Sequence, residues 1–273
     1  MKTLIRYSFV AMLALATGSS VSETQVGSTR NAFVLVPIPS DAVHHHQQGA
    51  PHIRNKNGTS QNWGGYAVES DLSAPLNGAV SDVVGTWVVP SVSSSGSTYT
   101  YSSVWVGIDG YSDNTVEQTG TEQDITPNGP VYYAWFEMYP KFAYRILNFP
   151  VAAGDTISAE VRYVGNDRFT LTIANLTRNV SFSTTQRSHK AKRQSAEWIV
   201  EPPYSGGILP LANFGTVTLS GCAATLNEHM GTISDPSWQY DAILMAYPGG
   251  PVKAQPSGLS GDGTSFSVTW QHE

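Results

Sequence analysis

The side chains best suited to chemistry in this sequence are carboxylates, amides and aromatic rings that stand together in a few short segments. These segments are Asn-Trp-Gly-Gly-Tyr at 62–66, Trp-Val-Gly-Ile-Asp-Gly at 105–110, Glu-Gln-Thr-Gly at 117–120, Tyr-Tyr-Ala-Trp-Phe-Glu-Met-Tyr-Pro at 132–140 and Ala-Glu-Trp-Ile-Val-Glu at 196–201. Alternate residues of a strand share a face, so Glu137 should lie beside Trp135 and Tyr139. Carboxylates among aromatic rings are costly unless they line a cleft. The pattern therefore favours a cleft whose hydrolytic chemistry rests on acids and amides.

Other common catalytic arrangements are missing from the sequence. It has no Gly-x-Ser-x-Gly, His-Glu-x-x-His, Asp-Thr-Gly or Asp-Ser-Gly motif and no glycine-rich phosphate loop. His189, His229 and His272 are scattered, and a nucleophilic Ser or Cys needs a base held beside it. The single cysteine, Cys222, excludes an internal disulfide framework and a cysteine-based zinc cluster. We therefore expect neither a metal nor another cofactor.

The elements that must position these side chains are predicted to be strands. Short β-branched or aromatic runs alternate with Asn-Gly, Asp-Gly and Pro-Gly-Gly turns, and no window keeps a helical period. The predicted strands are 80–89, 98–108, 131–138, 155–164, 169–175, 180–184, 196–201, 215–219, 241–247 and 265–271. This pattern predicts one all-β domain over residues 59–273, an antiparallel β-sandwich.

Two segments with a different character precede that domain. Residues 1–22 combine Lys2 and Arg6 with a short apolar stretch and small residues, which is typical of a secretory signal peptide. The apolar stretch is about half of the roughly 20 residues that a membrane anchor needs. Residues 23–58 hold His44, His45, His46 and His52, and are predicted to be a propeptide or a flexible leader. A metal-binding histidine tract is the less favoured reading, because no clear set of further ligands stands nearby. We therefore expect a secreted protein.

Charge separates the leader from the domain. Only 13% of the 273 residues are charged and the formal net charge is −6, yet residues 59–273 carry 10 Lys and Arg against 19 Asp and Glu, a net charge of −9. An acidic domain argues against nucleic acid or an anionic membrane as a partner. We expect the protein to be a monomer whose basic leader binds the acidic domain transiently. Acid would weaken this contact, because the carboxylates of the domain lose their charge. Because the domain has few Lys and Arg residues, protonation of its carboxylates in acid leaves only a small net positive charge, and repulsion within the protein stays weak.

The segments named above resemble the glutamic peptidases, or eqolisins, over about residues 60–270. The match follows the family's order and spacing in Asn-Trp-Gly-Gly at 62–65, Trp-Val-Gly-Ile-Asp-Gly at 105–110, Gln-Thr-Gly at 118–120, Ala-Trp-Phe-Glu at 134–137 and Ala-Glu-Trp-Ile-Val-Glu at 196–201. The short signal peptide and the lack of disulfides are more similar to the bacterial branch. Family members often carry Asp at the position of Tyr133.

The resemblance implies a concanavalin-like sandwich of two antiparallel sheets of about seven strands. It implies a secreted, acid-acting endopeptidase, made as a precursor, that cleaves proteins or peptides without a metal. The family's catalytic glutamine corresponds to Gln118, and the 83-residue separation favours Glu201 over Glu197 as its glutamate. The family's substrate-binding residues correspond to Trp63, Trp105, Asp109, Glu137 and Tyr139.

On this reading Glu201 is the general base that activates water, and the Gln118 amide stabilises the oxyanion. The other acids of the cleft would have to be largely neutral while Glu201 is ionised, because like charges would otherwise crowd one site. That condition predicts activity in acid and little near pH 7.

Two other functions remain open from the residues alone. Glu197 and Glu201 have the spacing that jelly-roll glycosidases use, although retaining chemistry needs carboxyl groups about 5–5.5 Å apart. Residues four apart on a straight strand are about 13 Å apart, so this strand would have to bend. A non-catalytic carbohydrate-binding sandwich could use Trp63, Trp105 and Trp135 as stacking platforms.

Overall fold

The computed structural model describes residues 32–38, 54–56 and 58–273. The predicted signal peptide and most of the predicted leader lie outside these residues. Eighteen strands are described: β1 (Val34–Pro37), β2 (Arg54–Lys56), β3 (Thr59–Ser60), β4 (Gly64–Glu69), β5 (Val80–Val88), β6 (Thr100–Ile108), β7 (Val116–Thr126), β8 (Gly129–Tyr139), β9 (Tyr144–Leu147), β10 (Thr156–Tyr163), β11 (Arg168–Asn175), β12 (Val180–Arg187), β13 (Ser195–Glu201), β14 (Thr216–Leu226), β15 (His229–Thr232), β16 (Gln239–Ala246), β17 (Val252–Pro256) and β18 (Phe266–Trp270).

The strands form two sheets that face one another. The first sheet has the order β1-β9-β8-β7-β6-β13-β4-β16, and every pairing in it is antiparallel. The second has the order β12-β11-β10-β5-β14-β18-β17-β16, with β15 beside β14 and the short β3 and β2 beyond β16. Strand β16 belongs to both sheets, since its first half pairs with β4 and its second half with β17. The predicted all-β sandwich is confirmed.

Burial differs between the two sheets. Strands β10, β11 and β12 alternate regularly between more and less buried residues, as expected when one face of a sheet meets solvent. Strands β4, β6 and β13 are buried at every position. One of their faces packs in the main core between the sheets with Trp87, Phe136 and Trp198. The other face lies under a second apolar cluster that includes Trp63, Trp105 and Trp135.

All ten predicted strands are present, with ends that differ by up to three residues, except that the strand predicted over 215–219 continues to Leu226 as β14. The structure adds strands that the sequence pattern did not predict, of which β7 is the longest and carries Gln118. Two segments of the predicted leader also pair with the domain. Strand β1 adds to the edge of the first sheet beside β9, and β2 pairs with β3. Among the described residues no helix is long and apolar enough to cross a membrane.

Candidate active site

The predicted site residues gather on the outer face of the first sheet, the face opposite the main core. Residues directly opposite one another on neighbouring strands share a face. One row of such neighbours runs Glu197, Gly107, Gln118 and Glu137 across β13, β6, β7 and β8. A parallel row, four residues further along β13, runs Glu201, Ser103, Glu122 and Tyr133. Both predicted catalytic residues therefore lie on one face, on strands that flank β6.

Gln118 is fully buried and its amide is oriented by Glu137. Its Nε2 donates a hydrogen bond of 2.8 Å to Oε2 of Glu137, which lies directly opposite on β8. Its Oε1 is buried and has no hydrogen-bond partner among the described residues. Because a glutamine NH2 group carries two hydrogens, one donor remains after the bond to Glu137.

Gly107 makes room for Gln118. A Cβ at Gly107 would lie 2.9 Å from Cζ3 of Trp105 and 3.2 Å from Cβ of Gln118. The indole of Trp105 therefore covers the glycine beside Gln118. Any larger residue at position 107 would push the ring and the glutamine apart.

Glu201 is held by two donors on the same face. Nε1 of Trp105 donates to its Oε2 over 3.1 Å, and Nδ2 of Asn62 donates to its Oε1 over 2.9 Å. The residue as a whole is only 1% exposed. Trp105 thus touches both halves of the site, with its ring at Gly107 beside Gln118 and its N–H at Glu201. Gln118 and Glu201 make no direct hydrogen bond to each other.

Other carboxyl groups near the site are buried, and their pKa values are raised. Burial, reinforced by repulsion from Asp124 and Glu201, raises the pKa of Glu122 well above its usual value. Burial raises the pKa of Asp124 to about 8. Burial, with repulsion from Asp109, Asp113 and Glu69, likewise raises the pKa of Glu197 well above its usual value. These groups remain protonated in acid, so the site would acquire several buried negative charges only as the pH rises.

Asp109 lies just beyond β6 and anchors the loop that precedes β13. Its two carboxylate oxygens accept 2.7 Å hydrogen bonds from the backbone N–H groups of Arg193 and Gln194. Burial and repulsion from Asp113 raise its pKa to about 7 despite these bonds. The structure therefore brings Asp109 to the loop of the basic run 187–193, not into hydrogen-bond contact with Gln118 or Glu201.

The predicted substrate-binding aromatics are covered in this structure. Trp63 and Trp105 are both 0% exposed and pack edge to face, with ring centroids 5.0 Å apart. Tyr139 is only partly buried, and burial together with Glu137 raises its pKa. Ile38, from the predicted leader, is 4% exposed and belongs to the same cluster as the two tryptophans. Its backbone N–H donates to the carbonyl of Ala143 over 2.9 Å.

Sequence reasoning missed three polar residues at the site, namely Ser60, Asn62 and Glu122. Asn62 stands inside the Asn-Trp-Gly-Gly motif, but its type alone did not distinguish it from a turn residue. Glu122 lies four residues after Gln118 on β7, so alternation along that strand would have placed the two on one face. That inference required β7 to be recognised as a strand.

The fold and the site together are those of a β-sandwich hydrolase built on carboxyl and amide groups, and comparison with known proteins identifies the class. A family model described as the Peptidase A4 family matches residues 61–268. Aspergillopepsin-2 of Aspergillus niger is 32% identical over 234 residues, which cover 77% of this chain and 78% of that protein. Scytalidopepsin B of Scytalidium lignicola is 30% identical over 187 residues, which cover 64% of this chain and 67% of that protein.

A solved structure is similar as well. The crystal structure of scytalido-glutamic peptidase with a peptide-based transition state analog has a TM-score of 0.62 and 25% identity, and the match covers 77% of this chain and 98% of that one. This chain belongs to the Peptidase A4 family, the glutamic peptidases, and is an endopeptidase. The predicted family is confirmed, and the glycosidase and carbohydrate-binding alternatives are set aside.

Proposed function

We propose that the protein is an acid-acting, secreted endopeptidase that uses Glu201 as general base and Gln118 as oxyanion donor. The observation that carries this proposal is the burial and hydrogen bonding of the Glu201 carboxyl group. It is a buried carboxyl group whose two oxygens each accept a hydrogen bond from a side chain, on the same sheet face as Gln118. The similar scytalido-glutamic peptidase structure holds a peptide-based transition state analog, which supports a peptide as the substrate of this protein too.

In the proposed reaction, Glu201 takes a proton from a water molecule as that water attacks the scissile carbonyl carbon. The Nε2 hydrogen of Gln118 that is not bonded to Glu137 donates to the developing oxyanion. Glu201 then returns the proton to the leaving nitrogen, and the C–N bond breaks. Because Glu137 holds the Gln118 amide in one orientation, the donor is in place before the reaction begins.

The raised pKa values of the neighbouring acids support action in acid. Glu122, Asp124 and Glu197 are uncharged in acid, so a base at Glu201 would then be the main negative charge on this face. As the pH approaches neutrality Asp109 and Asp124, whose pKa values are raised to about 7 and about 8, start to ionise, and repulsion between buried carboxylates would distort the site. We expect kcat/KM for a peptide substrate to be highest in acid and to fall as the pH approaches 7.

Substitution of the two residues tests the proposal. Gln118→Ala should lower kcat by roughly 10²–10³-fold, the usual cost of one oxyanion donor, and Glu201→Gln should leave a folded protein without activity. Gln123→Ala is the matched control, because Gln123 is also a buried amide of β7 but donates to Thr121 over 2.7 Å. Near-normal casein digestion by Glu201→Gln in acid would refute the assignment of Glu201 as general base. Release of sugar from a polysaccharide by the parent protein would instead support the glycosidase alternative.

We propose further that residues 1–22 direct secretion and that residues 23–58 are a propeptide, of which the described segment 32–38 lies against the site. Strand β1 extends the first sheet at β9, and Ile38 packs in the cluster of Trp63 and Trp105. A side chain in that position competes with a substrate for the same apolar surface.

The test of the propeptide uses the full chain. Ile38→Asp places a charge in the apolar cluster and should raise the initial rate of peptide hydrolysis, because the leader then leaves the site more easily. Val36→Asp is the matched control, since Val36 is 41% exposed on β1, two residues before Ile38. Equal rates in the two variants would contradict a covering role for this segment. The N-terminal sequence of the protein recovered from the medium tests secretion and locates the mature start.

A further inference from the structure

The environment of Glu201 differs from that of Glu197, the other buried glutamate of β13 on the same face. Its oxygens accept hydrogen bonds from Asn62 and Trp105, two groups that act there only as donors. By contrast, both oxygens of Glu197 are buried and lack a well-formed hydrogen bond to the described residues. Donors that point at a carboxyl group favour its ionised form, whereas burial without donors favours the protonated form.

Ser60 decides which end of the Asn62 amide faces Glu201. Its hydroxyl donates to Oδ1 of Asn62 over 2.9 Å. Oγ of Ser60 in turn accepts hydrogen bonds from the backbone N–H groups of Asn62 and Trp63 over 3.3 and 3.1 Å. With the carbonyl of the Asn62 side chain engaged by Ser60, its NH2 group is the end that meets Glu201. All three side chains are buried, at 0%, 1% and 1% exposure for Ser60, Asn62 and Glu201.

We propose that Ser60 and Asn62 are positioning residues that keep Glu201 ionised in acid, with Ser60 acting through the Asn62 amide. The inference rests on the proposed role of Glu201 as base. Neither residue touches the substrate or donates a proton in the reaction. Their task is to hold a fixed donor against one oxygen of the base, while Trp105 holds the other. A protonated Glu201 would instead place its own hydrogen against one of these donors.

The charged and titratable groups around Glu201 agree with this role. On β7 the titratable group nearest to Glu201 in register is Glu122, which shares its row across the sheet. Asp124 on β7 and Tyr133 on β8 lie further away. Glu197 lies four residues back on its own strand, and β6 contributes Ser103 and Trp105, neither of which titrates in acid. On β4 the neighbouring position is Gly64, opposite Val200. Glu122, Asp124 and Glu197 would be neutral in acid, so a charge on Glu201 would meet the donors of Asn62 and Trp105 without repulsion from these acids.

The pH profile of kcat/KM tests the inference. The acid limb is the part of the profile where activity falls because the base becomes protonated. In Asn62→Ala this limb should move to higher pH by about one unit. At a fixed pH on the acid side of the limb, kcat/KM should therefore be roughly tenfold lower than in the parent. Ser60→Ala should move it in the same direction by less, since the Asn62 amide remains but is no longer fixed. The double variant Ser60→Ala/Asn62→Ala should match Asn62→Ala. Ser102→Ala is the control, because Ser102 is a buried hydroxyl that donates to the carbonyl of Gln123 and should leave the limb in place.

Three outcomes would overturn the inference. One is an unchanged acid limb in Asn62→Ala with only a lower plateau, which would indicate a purely structural role. Another is a further shift in the double variant, which would mean that Ser60 does not act through Asn62. The third applies if Asn62→Ala does not fold, in which case an unmoved limb in Ser60→Ala is decisive. Failure of the proposed function would look different, because Glu201→Gln would then remain active.

Discussion

Asp82 makes the stability of this protein depend on pH in a direction opposite to that of most surface carboxylates. It lies on β5, away from the active site, with its side chain 23% exposed. Burial and repulsion from Glu160 raise its pKa from 3.8 to about 6, although Arg162 lies 3.4 Å from its Oδ2. The other oxygen, Oδ1, is buried and has no hydrogen-bond partner among the described residues.

The sign follows from the raised pKa. The folded state binds the proton of Asp82 more tightly than the unfolded state does, so this contribution to stability is complete below pH 3.8 and is lost as the pH rises through about 6. A difference of two pKa units corresponds to about 3 kcal/mol of unfolding free energy. Asp82→Asn, which mimics the neutral acid, should therefore match the parent protein near pH 3.5 and exceed its stability by about 3 kcal/mol at pH 7.

Urea unfolding followed by tryptophan fluorescence at pH values from 3 to 8 measures this effect, in a Glu201→Gln background that prevents self-digestion. Asp262→Asn is a control of opposite sign. The Ser260 hydroxyl and the Thr264 backbone and side chain hold the pKa of Asp262 at about 2. Its contribution is therefore present above pH 3.8 and is lost as the pH falls through about 2, so Asp262→Asn should lose stability relative to the parent as the pH rises. A constant difference between Asp82→Asn and the parent across the whole range would refute the reasoning.

Three further predictions concern the site and the loop beside it. Gly107→Ala should lower kcat and cost about 1–3 kcal/mol of stability, because the added Cβ would crowd Trp105 and Gln118. Gly85→Ala is the control, because its Cβ would lie 2.9 Å from the Trp198 ring in the main core. It should lower stability with little change in kcat per folded molecule. Trp105→Phe keeps a ring but removes the donor to Glu201, so kcat/KM should fall about tenfold to a hundredfold, the worth of a hydrogen bond to a charged group; an unchanged value would mean that the bond does not serve catalysis. Asp109→Ala leaves the N–H groups of Arg193 and Gln194 without their acceptor, so limited proteolysis should cut the 187–193 loop faster than in the parent, and equal cutting rates would show that the loop is held by other contacts.

The sequence predicted the sandwich well because alternation and turn residues are local signals. It did not predict β7, whose residues 117–124 are almost all polar, as in Glu-Gln-Thr-Gly-Thr-Glu-Gln-Asp. An apolar-polar pattern cannot identify a strand whose site face is itself lined by amide and carboxyl groups. The strand is recognisable only from its neighbours, since β6 and β8 pair with it on both sides.

The sequence named candidate site residues, but it did not predict the contacts that hold them. Gln118 and Glu201 came from a family resemblance, and the structure adds that each is oriented by a separate partner, Glu137 or Asn62. Those partnerships depend on strand register, which joins residues far apart in sequence, and spacing along the chain does not carry that information. The same holds for Asp109, whose loop contacts come from residues 84 and 85 positions away.

Strand β16, shared by the two sheets, determines where this sandwich is able to open. On its side the sheets are joined by continuous backbone, from the half that pairs with β4 to the half that pairs with β17. On the other side the first sheet ends at β1, which pairs with β9, and the second ends at β12. Phe33, just before β1, packs edge to face on Phe182 of β12 with centroids 5.5 Å apart. The segment around β1 thus holds the two sheets together on the side opposite β16. In a variant that lacks this segment, we expect opening motions to concentrate at the β9 edge, so amide hydrogens there should exchange sooner than those of β16.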